Sequence, residues 1–330
     1  NLLVDASDLV LPSYQTATPL EGGRCYWWQA RADNACGTGD WSTPFHFATV
    51  TWDISFGDDI ESGDSNWTHA AEDGKDNWAI TTELSHTPTH AWFVPNDDKV
   101  TDTRLWNTTP VLIGDGETLR FWHQYRIEGG FDGAVLEISV DSGDTWSDLG
   151  PYITANGYNG TISSNYRNPL GGRSAWTGDL TSWTEVIVDL SGFAGESVNI
   201  RWRLGSDEMI GANGWYIDDV LIASPLPLAP APTLLSINPE QGGLDTSTAI
   251  TITGAGFFGI PSLLLGDVWL DDVTVLDGHT ITAVIPAGIL PGSYDLTLYN
   301  GDCQEAVLLE AFTIGEEEIL QTIYLPAILK

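Results

Sequence analysis

Residues 131–146 read FDGAVLEISVDSGDTW, and residues 214–222 answer with GWYIDDVLI. In the first stretch Val135, Glu137, Ser139 and Asp141 alternate with Leu136, Ile138 and Val140. A period of two marks a β-strand, here expected to have one buried face. The strand runs into Ser139-x-Asp141-x-Gly143-x-Thr145-Trp146. Short acidic side chains accept turn amide protons and glycine tolerates a positive φ. The spacing therefore predicts a hairpin with Asp141 as acceptor, Gly143 in the left-handed region and Trp146 packed beneath. No nucleophile accompanies it, so the reading is structural.

The rest of the chain carries the same signature. Short alternating runs between glycine and proline recur, 3.6-residue periodicity is absent, and there are 15 Trp against one Met. An all-β protein is expected, and 330 residues call for two or three domains. Twelve Lys and Arg face 46 Asp and Glu, for a net charge of -34. Such a surface repels phosphates, which argues against nucleic acid and anionic membranes as partners. No apolar run approaches the roughly 18 residues of a membrane helix. No basic segment followed by an apolar core opens the chain, so no signal peptide is visible; it has been removed or the chain begins inside something longer.

Taken in order, residues 1–49 contain Cys25-Tyr-Trp-Trp-Gln-Ala-Arg-Ala, a glycine-rich turn, and Trp41-Ser-Thr-Pro-Phe-His-Phe-Ala. This hairpin resembles the last two strands of a fibronectin type III domain, which implies a partial sandwich completed by upstream residues or by a neighbouring subunit. Cys25 and Cys36 lie across the hairpin and are expected to form a disulfide, in keeping with an oxidising compartment; Cys303 is left over. Residues 50–223 form the large unit, with strands expected at 78–82, 90–94, 118–127, 133–140, 184–190, 197–204 and 215–222. The succession FGDDIESG, DNWAI, SHTPTHAW, LRFWHQY, FDGAVLEIS, IRWRLGSD and GWYIDDVLI resembles the jelly-roll domain that follows the catalytic domain in secreted bacterial metallopeptidases of the immune-inhibitor-A type. It is also similar to MAM domains. The turn at 139–146 resembles the Asp-box found in sialidases. Residues 224–232, SPLPLAPAP, read as an extended linker. Residues 233–314, with Ile252-Thr-Gly-x-Gly-Phe, Val284-Ile-Pro-Ala and Pro291-Gly-Ser-Tyr-Asp-Leu-Thr-Leu, resemble an Ig-like IPT/TIG domain. In the tail, residues 315–330, an apolar segment follows an acidic run, as in a final strand or a sorting signal.

Catalytic constellations are missing from this pattern. His86 and His90 have the spacing of a zinc helix, but Pro88 lies between them and no Glu follows His86. Calcium is the better-supported ligand. Asp58, Asp59, Glu61, Asp76, Asp218 and Asp219 fall near the first and last strands of the large unit, which lie side by side in a jelly roll. Crowded carboxylates supply the oxygen ligands Ca²⁺ requires. Arg120, Trp122, Arg126, Arg201 and Arg203 lie opposite the expected core face and are candidates for stacking on an extracellular carbohydrate or protein ligand. The expected function is a non-catalytic extracellular region for adhesion, substrate docking or spacing in a secreted or surface-displayed bacterial protein. Alternatives are the accessory part of a secreted metallopeptidase, and a surface-layer or filament subunit that uses strand complementation.

Overall fold

The computed structural model describes residues 20–34 and 37–315, together with 5–7, 9, 14 and 16. The protein is all-β, as its composition predicts. Among the described residues, the helical turns are two single 3-10 turns, at Gly150–Tyr152 and Ser191–Phe193. The chain divides into two compact units, residues 52–225 and residues 1–51 with 226–330.

The larger unit is a sandwich of two antiparallel sheets. One, of six strands, runs in the order Ser147–Asp148, Gly133–Ser139, Ser197–Ser206, Thr101–Asn107, Trp67–Asp73, and Val111–Leu112 also pairs with Ser197–Ser206. The other runs Ile153–Ala155, Asp179–Asp189, Thr118–Arg126, Ala212–Pro225, Ala91–Asn96, Ala79–Thr81, and Trp52–Asp58 also pairs with Ala212–Pro225. Alternation decides what lies between them. Leu119, Phe121, His123 and Tyr125 face inward from one sheet, and Val198, Ile200, Trp202 and Leu204 from the other; all are buried. Trp67, Trp92, Trp176 and Trp215 complete the layer. The rings meet edge to face, with Phe121 against Trp202 at 5.4 Å and 89° and against Trp176 at 6.0 Å and 83°.

This core tolerates some unpaired polar atoms. The indole N–H groups of Trp78, Trp92 and Trp202 have no hydrogen-bond partner. Each such group costs about 1–3 kcal/mol, whereas burying a tryptophan removes roughly 150–250 Å² from water, about 4–6 kcal/mol. Apolar area wins. His123 is fully buried, and desolvation pushes its pKa down to about 3, so it is neutral; its Nδ1 accepts the Trp215 Nε1 proton at 3.3 Å.

The seven strands expected in this unit all form. Two others, Trp67–Asp73 and Thr101–Asn107, carry no clear apolar alternation, whereas Trp52–Asp58 does alternate, through Trp52, Ile54 and Phe56. In TDTRLWN the buried positions include Thr101, Asp102, Thr103 and Asn107, so polar pairing replaces the apolar signal.

One expectation for the organising strand is corrected. Gly133–Ser139 is buried on both faces, not one. Leu136 and Ile138 enter the main core, while Val135 packs on the other side with Ile162, Leu170 and Ala175 from the 149–178 excursion. A Cβ on Gly133 would meet Ile162 Cδ1 at 2.5 Å, so only glycine admits this close approach. Glu137, on the same covered face, binds Arg201 at 2.5 Å, Arg173 at 2.5 Å and Arg203 at 3.3 Å; Arg203 and Arg104 also grip Asp102. Burial alone would raise the pKa of the Glu137 carboxyl, but the attraction of Arg201 and Arg173 outweighs it and holds the pKa below the ordinary value. The turn that follows forms as expected. Asp141 accepts the Thr145 N–H at 2.9 Å, Gly143 has φ 95, and the Trp146 Nε1–H donates to the Gly143 carbonyl at 2.9 Å. Trp146 also lies against the Arg201 guanidinium, 4.0 Å from ring centroid to Cζ.

The second unit holds an Ig-like sandwich. A four-stranded sheet, Thr233–Asn238, Thr248–Ala255, Thr280–Ile285, Asp271–Asp277, packs on a five-stranded sheet, Gln241–Gly243, Glu305–Gly315, Gly292–Tyr299, Ser262–Leu265, Val268–Trp269. Ile252, Leu265, Ile281, Leu296, Leu298 and Phe312 fill its centre. The N-terminal hairpin pairs Cys25–Trp28 with Phe45–Ala48. It is tied to this sandwich. Trp27 meets Trp269 and Tyr299 edge on, each at 4.9 Å, and the Cys25 N–H donates to the Gly301 carbonyl at 2.6 Å. The disulfide joins Cys25 to Cys303, not to Cys36, with Cα atoms 4.8 Å apart. The hairpin brings Cys25 beside the 300–304 turn, so a separation of 278 residues closes where proximity in sequence suggested otherwise. Cys36 and residues 316–330 of the tail lie outside the described residues.

Two outcomes are expected. Glu137→Ala leaves three arginines around an uncompensated pocket and should cost about 3–5 kcal/mol in chemical denaturation, whereas Arg126→Ala, at an exposed pair, should cost no more than about 1 kcal/mol. Non-reducing peptide mapping should recover a Cys25–Cys303 crosslink; a Cys25–Cys36 peptide would refute this pairing.

Candidate binding site

The outward side chains of the seven-stranded sheet define the site. Arg120, Trp122, Gln124 and Arg126 alternate with the core residues of Thr118–Arg126, so Arg120, Trp122 and Arg126 lie off the core face, as the alternation in the sequence implies. The neighbouring strands add Trp183, Glu185, Tyr216 and Phe93. Trp183 approaches Tyr216 at 6.5 Å, and Tyr216 approaches Phe93 at 4.5 Å. Trp183, Trp122 and Phe93 are part-buried rather than sealed.

Two of the expected ligand residues are partly engaged here. Arg120 makes a two-pronged ion pair with Glu185, both bonds 2.8 Å, and lies 5.5 Å from the Trp52 ring. Arg126 makes a loose 3.7 Å pair with Asp179 and is largely exposed. Arg201 and Arg203 belong to the opposite sheet and are consumed by Glu137 and Asp102, so they are not available to a ligand. The reading of SVNIRWRL places them off the core face; it could not show that this outer face is itself covered.

A loop clamps the aromatic face. His86 stacks on Trp122 with centroids 3.9 Å apart and planes 11° from parallel, and meets Trp183 at 5.9 Å. The reason lies in a β-bulge. Trp215 and Ile217 point inward, then Val220 and Ile222, so the alternation slips by one residue at Asp218-Asp219. Asp219 takes a left-handed φ of 47, a conformation Asp tolerates better than most residues. Both carboxylates then hold the loop. Asp218 Oδ2 accepts the His86 and Thr87 N–H groups at 2.7 and 3.2 Å. Asp219 binds His86 Nδ1 and Thr87 Oγ1, each at 2.5 Å.

The other expected metal ligands are likewise committed. Asp58 accepts from Ile60 N, Asn66 Nδ2 and Trp67 Nε1, and Asp59 accepts from Glu61 N. Glu61 takes donors from Thr89 and His90, and its pKa is drawn down to about 2, first by the Thr89 hydroxyl. Asp76 pairs with His69 at 2.7 Å. Among the described residues, no three of Asp58, Asp59, Glu61, Asp76, Asp218 and Asp219 bring their oxygens together; amides, hydroxyls and imidazoles engage them separately, although Asp76 Oδ1 has no partner. Among the described residues, the acidic trio that does converge is Glu128, Asp132 and Asp207. Its members lie in two loops 75 residues apart, and no local motif announces them.

Asp218 sets an opposition between two effects. Burial, then the neighbouring Asp219, raises its pKa to about 6, against the pull of the amides it accepts. A raised carboxyl contributes stability that is complete below the unfolded value near 4 and is lost as pH rises through about 6. Carboxyl ¹³C titration should place the Asp218 midpoint near 6; a midpoint below 4 would show that the amides prevail.

Comparison with known proteins follows this geometry. Bacillopeptidase F of Bacillus subtilis (strain 168) is 23 % identical over 199 residues, covering 55 % of this chain and 12 % of that protein. The chain thus spans a small part of this relative's length. Among solved structures, the K3 cleaved adhesin domain of Lys-gingipain from Porphyromonas gingivalis W83 aligns at 16 % identity and TM-score 0.34, over 52 % of this chain and 98 % of that one. The C-terminal family 22 carbohydrate-binding module of Clostridium thermocellum Xyn10B aligns at 12 % identity and TM-score 0.33, over 53 % and 96 %. Scores this low assign neither fold nor ligand. Residues 232–314 match the model of the IPT/TIG domain, in agreement with the Ig-like sandwich found there.

Proposed function

We propose that residues 52–225 form a non-catalytic extracellular docking module that binds a neutral carbohydrate polymer through the outer face of the seven-stranded sheet. The observation that carries this reading is the part-open aromatic surface of Trp122, Trp183 and Phe93, backed by the buried Tyr216, with the His86 loop packed on Trp122 and Trp183. Flat rings offer apolar area to the C–H faces of sugars at little entropic cost, and the flanking arginine and carboxylates supply hydrogen bonds that orient hydroxyls. A net charge of -34 disfavours anionic polymers. The Cys25–Cys303 disulfide supports an oxidising, extracellular setting on a secreted or surface-displayed protein.

The similarity to Bacillopeptidase F favours a second reading of the context: the region is the accessory part of a larger secreted peptidase, and the module brings that enzyme to its substrate. Affinity electrophoresis of the chain through gels containing neutral polysaccharides should show retardation by at least one of them. Trp183→Ala, which spares the core, should then weaken binding by about thirtyfold, or about 2 kcal/mol. Mobility unchanged in every polysaccharide would remove the carbohydrate reading, and full binding by the Trp183 variant would place the site elsewhere.

A further inference from the structure

We propose, resting on the carbohydrate reading above, that the place His86 holds on Trp122 is the main sugar subsite of the outer face, and that residues 82–90 are a strap which the ligand displaces. The strap is the connection between Ala79–Thr81 and Ala91–Asn96, which pair as a hairpin from Ala79 with Phe93 to Thr81 with Ala91. Hairpin connections commonly need about two to five residues, so residues 82–90 are longer than the turn requires. The excess lies across the sheet. Ala212–Pro225 runs between Ala91–Asn96 and Thr118–Arg126, so the loop crosses a whole strand, a reach of about 10 Å, to set His86 on Trp122.

His86 lies on Trp122 as a flat ligand would. The rings are 3.9 Å apart and 11° from parallel, and Trp183 stands at the side of the imidazole at 5.9 Å and 62°. While the imidazole is there, no sugar reaches that face of Trp122. The strap itself is lightly fastened. None of residues 82–90 is buried, and its apolar Leu84 is 40 % exposed. Its ties to the rest of the unit run to three carboxylates: Asp218 accepts from the His86 and Thr87 amides, Asp219 binds the His86 imidazole and the Thr87 hydroxyl, and Glu61 holds Thr89 and His90. Water replaces such ties without exposing any core residue, which is the signature of a segment that opens locally. The occupant that fits the vacated place must offer a flat apolar face to Trp122 and hydrogen-bond donors to Asp219, which has lost two. The C–H face and hydroxyls of a neutral sugar supply both, whereas an anion would meet two adjacent carboxylates.

The test uses the full chain and His86→Ala, with the neutral polysaccharide that most retards wild type in affinity electrophoresis. His86→Ala should bind roughly tenfold more tightly, because an open state populated to no more than about 10 % weakens apparent binding by that factor. Amide hydrogen exchange gives a second readout. In wild type the His86 and Thr87 amides should exchange at least about a hundredfold faster than those of Thr118–Arg126, and faster still when polysaccharide is added, while the Thr118–Arg126 amides should behave alike in both proteins. Binding by His86→Ala that is equal to or weaker than wild type overturns the proposal, and so do loop amides that polysaccharide slows, since His86 would then belong to the binding surface. Wild type retarded by no polysaccharide removes the carbohydrate reading, and the subsite falls with it.

Discussion

The packing of indole rings between two sheets is the constraint on which the larger unit depends. Trp67, Trp92, Trp176, Trp202 and Trp215 fill a layer that shorter side chains would leave empty, and Trp176 and Trp202 meet Phe121 edge to face. Because side chains alternate along a strand, this layer sets the direction of every other residue. A one-residue slip in Thr118–Arg126 would drive Arg120 and Trp122 inward and expel Phe121. The aromatic surface outside is thus a consequence of the core inside. The exception is the bulge at Asp218-Asp219, where one added residue lets Val220 and Ile222 return to the core and frees two carboxylates to hold the His86 loop.

The two outer faces have different fates. On the six-stranded sheet, the 149–178 excursion covers Val135 with a small apolar cluster, and Glu137, the nearby Asp102 and their arginines form a charge network. Such a face is finished. On the seven-stranded sheet, Trp183, Trp122 and Phe93 stay partly open beneath a short loop, and Arg126 is almost free. Exposed aromatic surface next to fixed polar groups is where a protein gains by meeting a ligand. Both faces carry tryptophan and arginine, so composition alone does not separate them. Coverage does.

Six acids near the first and last strands looked like a calcium site because jelly-roll topology places those strands together, and Trp52–Asp58 does pair with Ala212–Pro225. The loop at 86–90 intervenes, however, and its amides, hydroxyls and imidazoles occupy Glu61, Asp218 and Asp219 one by one. The trio at Glu128, Asp132 and Asp207 is engaged in a similar way, with Asn96, Asn168 and the Asp207 amide on Asp132 and the Met209 amide on Asp207. A carboxylate's readiness for a metal depends on what else can reach it, and that is a property of loops folded from distant parts of the chain.

Much was legible in the sequence because it depends on short-range periodicity. Alternation in FDGAVLEIS and SVNIRWRL determined the strands and their core-facing residues, the Ser139 to Trp146 spacing determined its turn, and the glycine- and proline-punctuated composition determined the all-β class. Three matters were decided only by tertiary structure. TDTRLWN became a strand because Asp102 found Arg203, a partner about a hundred residues away with no trace in the stretch's own pattern. Cys25 joined Cys303 because the hairpin meets the 300–304 turn, which outweighs the nearness of Cys36 in sequence. Arg201 and Arg203 left the surface because Glu137 and Asp102, on neighbouring strands, pair with them and Trp146 lies against Arg201. In each case the deciding interaction links residues far apart in the chain, and local side-chain order holds no record of such a meeting.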